Sequence, residues 1–299
     1  MFKRKILPNP VFLMLLITLS SKLMAQVPTE KSLLWKISGK ELAHNSYLFG
    51  TVHVIDSTHF FMPQVWIDSF EACQVFVTEN NNESWKLREV RQAARLQRYP
   101  KGGTIAQDLN EEDFRRLNKF LKDSLQLTNK KIKQVLRLKP YVLLSALSNN
   151  KPGTKGYETE FIRMARNRKL PIQALATPTQ TLGYLEKVDK HLFLQQIVSD
   201  VSAEAKRATR KGVDSMTMAY LQQDLPTLHR LNEQGNAVSF FEVMVNERNK
   251  HWILAIEKMI ATQPTFIAVG AGHLGGQGGV IHLLRKQGYS VLPVFSKPN

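Results

Sequence analysis

One cysteine, Cys73, is all the chain contains. No disulfide can close within it, so stability has to come from a packed core. With Val75 and Val77 beside it, Cys73 reads as a small buried hydrophobe rather than a nucleophile. HExxH, CxxC, GxSxG and Walker patterns are all missing, which removes the commonest zinc-protease, zinc-ribbon, serine-hydrolase and P-loop readings. Long apolar runs are also absent. The stretch from Val11 to Leu19 is nine residues, interrupted only by Thr18, against the roughly 20 that a membrane-crossing helix needs. Acid is scarce, with 41 Lys and Arg against 25 Asp and Glu for a formal charge of +16.

The short apolar run follows Lys3, Arg4 and Lys5 and ends at the small residue Ala25. Charge, apolar run and small residue in that order predict a signal sequence at residues 1–25, export, and a periplasmic or secreted mature protein. Cleavage after Ala25 removes Lys3, Arg4, Lys5 and Lys22 and no acid, leaving +12 and no transmembrane segment. Residues 26–299 are then long enough for one large domain. The basic residues gather at Lys130, Lys131, Lys133 and Arg137, at Arg163, Arg166, Arg168 and Lys169, and at Lys206, Arg207, Arg210 and Lys211. These stretches are helix-like and lack interleaved aromatics, so they read as solvated helix faces and not as a nucleic-acid surface.

Residues 32–38 and 46–52 read as a hairpin, followed by a helix opened by Pro63 and a strand from Gln74 to Thr78. Helices are expected from Glu83 to about Val201. In one of them Phe114, Leu117, Phe120, Leu121 and Leu125 share a face, and Asn110 caps its start. A strand is expected at 170–176. Residues 191–233 read as helices broken near Gly212 and Pro226, with little chemistry on them. A helix from Ser239 to Ala261, a strand at 265–269, a helix at 278–286 and a strand at 289–295 close the chain. The prediction is an α/β fold: a mixed central sheet built from both ends of the chain, with a large helical middle segment.

Two four-residue patterns stand where strands run out into loops. They are Gly50-Thr51-Val52-His53 and Gly270-Ala271-Gly272-His273. Such loops collect ligand sites in α/β sheets, glycine permits close backbone approach, and neutral imidazole binds Mn, Co or Zn. Two histidines need a carboxylate as third ligand or general base. Glu79, after the strand at 74–78, qualifies equally as that group or as the start of a solvated loop. Arg248 falls on the apolar stripe of Phe241, Val245, Trp252, Ile256 and Met259. A guanidinium there either has a partner, which could be Glu79, a substrate oxygen or a structural ion pair, or snorkels out to water. Residues 270–275 also satisfy G-x-G-x-x-G, but the following strand carries no acidic residue for a ribose, which argues against a dinucleotide site. His59 is a spare imidazole six residues beyond His53.

With these residues assembled, the chain resembles the TraB/GumN family, which includes the Tiki membrane-anchored proteases. The likeness rests on residues 46–53, the strand ending at Glu79, Lys139-Pro140, Glu247-Arg248-Asn249 with Trp252, residues 269–276, Gly278-Gly279-Val280, Leu283-Leu284 and Gly288-Tyr289. It implies a fold like the erythromycin-esterase and ChaN group and, for Tiki-like members, metal-dependent peptide cleavage. By position it makes His53, Glu79 and His273 the metal cluster, and Glu79 and Arg248 catalytic. A peptide or protein is the implied substrate. The alternative is a non-catalytic exported protein that captures a peptide or other ligand in the same cleft, with iron or haem on the histidines as a third reading. Two departures bear on the choice. Ala176 stands where the family usually has a glutamate, and Asn80-Asn81 replaces the usual leucine and aspartate.

Overall fold

The structure is a computed structural model that describes residues 28–80, 87–148, 153–202 and 214–296. The expected signal sequence, the break at Gly212 and the basic cluster at 206–211 lie outside these residues. Among the described residues no helix is long and apolar enough to cross a membrane.

Among the described residues six strands form the central sheet: β1 (Leu34–Ser38), β2 (Ser46–Thr51), β4 (Val75–Asn80), β6 (Ile172–Ala176), β7 (Thr265–Gly270) and β8 (Ser290–Val294). Their spatial order is β6-β4-β7-β2-β1-β8. The expected hairpin is present, with β1 antiparallel to β2 and to β8. The strands β2, β7, β4 and the edge strand β6 run parallel to one another. The sheet is thus mixed and built from both ends of the chain, because β7 inserts between β2 and β4. Two short strands, β3 (Ile55–Asp56) and β5 (Thr154–Lys155), pair separately.

Near-continuous apolar strands are buried on both faces, and alternation divides their side chains between two cores. Phe49, Phe76, Phe266 and Ala268 pack on one face with Trp66, Phe70, Tyr157 and Phe161. Leu48, Val75, Val77, Ile267 and Val269 pack on the other with Trp252, Ile256, Leu284 and Tyr289. Each large side chain buried in this way contributes roughly 1.5–3 kcal/mol, which offsets the cost of the buried polar groups at the strand ends. A third, helical core gathers Leu117, Leu121, Ile132, Leu136, Leu143 and Ile197. Cys73 is buried as expected, and desolvation pushes its thiol up to about 12.

Two local expectations are corrected. The Asn110-capped helix Glu111–Lys119 widens into a π-turn at Phe120–Ser124, which leaves Leu125 42 % exposed and off the shared face. Strand β4 continues through Glu79 to Asn80 instead of stopping at Thr78. The expected break near Pro226 is present: one helix ends at Leu221 and the next starts at Leu225 with Pro226 in its first turn.

Candidate functional site

The parallel register puts the carboxyl ends of β2, β4 and β7 on one edge, with Thr51 opposite Gly270 and Thr78 opposite Ala268. Both Gly-x-x-His loops leave from this edge. They touch at Gly50, where a Cβ would lie 2.7 Å from Leu274 Cδ1 and 3.2 Å from Ala271. A side chain here would push on both neighbours, so glycine lets the first motif lie close against the second. The Tyr220 hydroxyl donates to the Gly50 carbonyl at 3.0 Å and ties the end of β2 to the helix Ser215–Leu221.

Glu79, Arg248 and His273 meet at the edge, all buried. Glu79 Oε1 accepts from the Gly270 backbone N–H at 2.8 Å, and Oε2 accepts from Arg248 Nη2 at 2.6 Å. Burial alone would raise the Glu79 pKa. His273, Arg248 and His53 oppose this with the Gly270 N–H, and the net result is a carboxylate held down to about 2. Arg248 is the member of that group whose charge is permanent. Its guanidinium lies over the Trp252 ring at 4.6 Å, one helical turn along.

Asn249 is fully buried and fixes His273. Its amide nitrogen donates to the carbonyls of His273 and Gly278 at 3.0 and 2.8 Å, so its oxygen faces His273 Nδ1 at 2.7 Å. That oxygen can only accept, so Nδ1 carries the proton and Nε2 keeps its lone pair. Burial lowers the His273 pKa to about 4, with Arg248 and His53 acting in the same direction and Glu79 against it. The ring is neutral near pH 7. Its Nε2 stands 3.6 Å from Glu79 Oε1 and 3.4 Å from Arg248 Nη1.

Arg248 and Asn249 begin the stretch Arg248–Thr262, which continues a helix that starts at Val238 and passes through a π-turn at Glu242–Glu247. Wide turns of this kind cluster at functional sites. Here the turn carries Met244 and Val245 into the cleft wall.

His53 stands apart from the buried trio. Its ring is 72 % exposed and its Nδ1 lies 3.1 Å from Glu158 Oε1. This hydrogen bond raises the His53 pKa to about 9, an effect that solvent partly screens on an exposed ring. His53 nevertheless lines the same cleft of about 540 Å³ as Glu79, Arg248 and His273. Among the described residues no three His, Cys, Asp or Glu side chains converge closely enough to hold a metal ion. His59 is half-buried and outside the cleft lining.

The sequence model of the TraB/PrgY/gumN family matches residues 33–293. The chain belongs to the TraB/PrgY/gumN family. Comparison with curated proteins and with solved structures gives no match. In this TraB/PrgY/gumN chain the segment expected to carry little chemistry supplies part of the cleft wall, through Tyr220, Leu228 and Asn232. His229 lies beneath the second loop, against Gly275 and Gly276. Two residues that sequence reasoning did not assign are Asn249, quoted only as part of a motif, and Glu158. Asn249 was detectable as a polar residue one position from Arg248 on a buried helix. Glu158 carries no comparable sequence signal.

Proposed function

We propose that the protein is an exported metal-dependent hydrolase acting on peptides. The observation that carries this reading is the meeting of two acceptors in a buried place, the His273 Nε2 lone pair and Glu79 Oε1, 3.6 Å apart. Two such atoms repel unless a cation lies beside them; Arg248 supplies one charge, through Nη2 at 2.6 Å to Glu79 Oε2 and a longer Nη1 contact at 3.4 Å to Nε2, and an ion between Oε1 and Nε2 would supply a second. Donors sharing a tetrahedral ion with bonds near 2.1 Å sit about 3.4 Å apart. His273 and Glu79 therefore offer two donors at a spacing that suits a divalent ion, Mn, Co or Zn; His53, on the rim of the same cleft, would have to turn inward and give up its second proton to serve as third ligand. Such an ion, when bound, acidifies water and polarises a carbonyl.

The remaining roles follow from the protein's own groups. A carboxylate held near pKa 2 is a weak base, so Glu79 serves as ligand and countercharge rather than as general base. Arg248 keeps Glu79 ionised and brings a fixed positive charge to the cleft floor, where a carbonyl oxygen gains negative charge during attack. Val52, Met216, Phe240 and Met244 give the cleft an apolar wall suited to a peptide side chain. Lys3, Arg4 and Lys5, the apolar run and Ala25 support export. The mixed sheet with its site at the strand ends supports kinship with the erythromycin-esterase and ChaN group.

A second reading, capture of a peptide without cleavage, is favoured by one position. Ala176, buried at the end of β6 and paired with Asn80, stands where a glutamate is usual in the family. Turnover of a fluorogenic peptide pool decides between the two. Loss on chelation, recovery with manganese(II) or zinc(II), and loss in Glu79→Gln support the hydrolase; binding without turnover supports the second reading.

A further inference from the structure

Thr51 and Glu158, which have no role above, gather behind His53. The Thr51 hydroxyl donates to Glu158 Oε1 at 2.7 Å, and the same oxygen lies 3.1 Å from His53 Nδ1. An ionised carboxylate oxygen only accepts, so the His53 Nδ1 carries a proton and Nε2 is the nitrogen left for the cleft. The backbone is arranged to hold this contact. The β3–β5 ladder pairs Ile55 with Lys155 and Asp56 with Thr154, laying the chain after His53 against the chain before Glu158. At Gly156 a Cβ would meet the His53 carbonyl oxygen at 2.5 Å, so only glycine allows this approach. Tyr157, fully buried between these two residues, anchors the start of the helix Tyr157–Asn167 in the aromatic core.

His53 therefore has contacts on two sides. It lines the cleft that holds Glu79, Arg248 and His273, and it also lines a second, polar cavity of about 850 Å³ with Glu158, Lys155 and Thr159. An exposed imidazole between two cavities has several rotamers open to it, and a single carboxylate bond selects one.

We propose that Glu158 is a positioning residue for His53: fixed by the Thr51 hydroxyl, its carboxylate accepts the Nδ1 proton and presents Nε2 of His53 to the cleft. The proposal rests on the reading of His53 as a site residue, and it assigns Glu158 no contact with substrate. A carboxylate behind a functional histidine sets both tautomer and ring orientation, and loss of such a partner typically costs about 10- to 100-fold in activity or metal affinity.

Crystal structures of the purified protein and of its Glu158→Ala and Glu158→Gln variants, with turnover of a fluorogenic peptide pool in manganese(II) chloride, test the assignment. In Glu158→Ala the His53 ring leaves its present orientation and kcat falls about 10- to 100-fold with little change in KM. Combining it with His53→Ala costs no more than His53→Ala alone. Glu158→Gln, which keeps an acceptor oxygen, retains the ring orientation and most of the rate. An unmoved ring in Glu158→Ala, a displaced ring in Glu158→Gln, or losses that multiply in the double variant would overturn the proposal. If the unaltered protein turns over no peptide, the hydrolase reading fails, and the ring orientations alone decide the role of Glu158.

Discussion

Asn249 sets the tautomer of His273. Its amide donors are spent on the His273 and Gly278 carbonyls, so its oxygen faces Nδ1 and the lone pair of Nε2 is left beside Glu79. One buried amide thereby holds both the backbone of the second loop and the proton on its histidine. Asn249→Ala strips two buried groups and the half-buried Gly278 carbonyl of their partner. The expected loss in urea denaturation is on the order of 3 kcal/mol, and the histidine ¹⁵N spectrum should show that the Nδ1-bound proton of His273 is no longer uniquely populated.

The Glu79–Arg248 pair lies at the centre of the site with both side chains at most 10 % exposed. Removing one member leaves the other as an unpaired buried charge. Arg248→Ala is expected to cost about 3–5 kcal/mol. The double variant Arg248→Met with Glu79→Gln removes both charges and should cost clearly less than the sum of its single changes. Additive losses in denaturant titrations would show that the pair does not act as a unit.

Acid should weaken the fold in two stages. His273 falls from an ordinary 6.5 to about 4 in the folded state, so the unfolded chain binds a proton first. Its contribution declines as pH drops from 6.5 and is spent near 4. Glu79 falls from 4.5 to about 2; its stabilisation is intact above 4.5 and lost as pH drops toward 2. His53 works in the opposite sense. Raised to about 9, it stabilises fully below 6.5 and loses its contribution as pH climbs through 9, weakly because the ring is exposed. Melting temperatures measured from pH 3 to 10 should decline below 6.5, and the decline below that pH should shrink in His273→Gln.

Much of this was legible in the sequence. Strand-like runs at 46–52, 74–78 and 265–269 announced three of the sheet's strands, and the two Gly-x-x-His patterns marked the ends of two of them. Arg248 was recognisable as a charge on an apolar stripe, so its need for a partner could be stated before the partner was known. What stayed hidden depended on contacts far apart in the chain. Glu158 sits in the first turn of a helix, where acids are common because they complement the helix dipole. Its approach to His53 rests on a two-residue ladder too short to leave a periodic pattern. The π-turn at 242–247 has no local signature either, since its residues are ordinary helix formers. The wall built by Tyr220, Leu228 and Asn232 was missed because it lies on helices that carry no motif.

Cys73 gives a simple check on the core. It is 1 % exposed and its thiol is pushed up to about 12. Iodoacetamide at pH 8 should leave the native protein unmodified and label one thiol in urea, with mass spectrometry reading both states. Labelling of the folded protein at the rate of a free thiol would contradict the packing described.

The account turns on whether Glu79 and His273, with His53, hold a divalent cation. Elemental analysis of the purified protein after equilibration with manganese, cobalt and zinc, and removal of the excess, measures this directly. One bound equivalent of one of these metals, lost in His273→Ala and in His53→Ala variants that remain folded, is the predicted result. A folded protein that retains no metal, or variants that retain it in full, would contradict the claim.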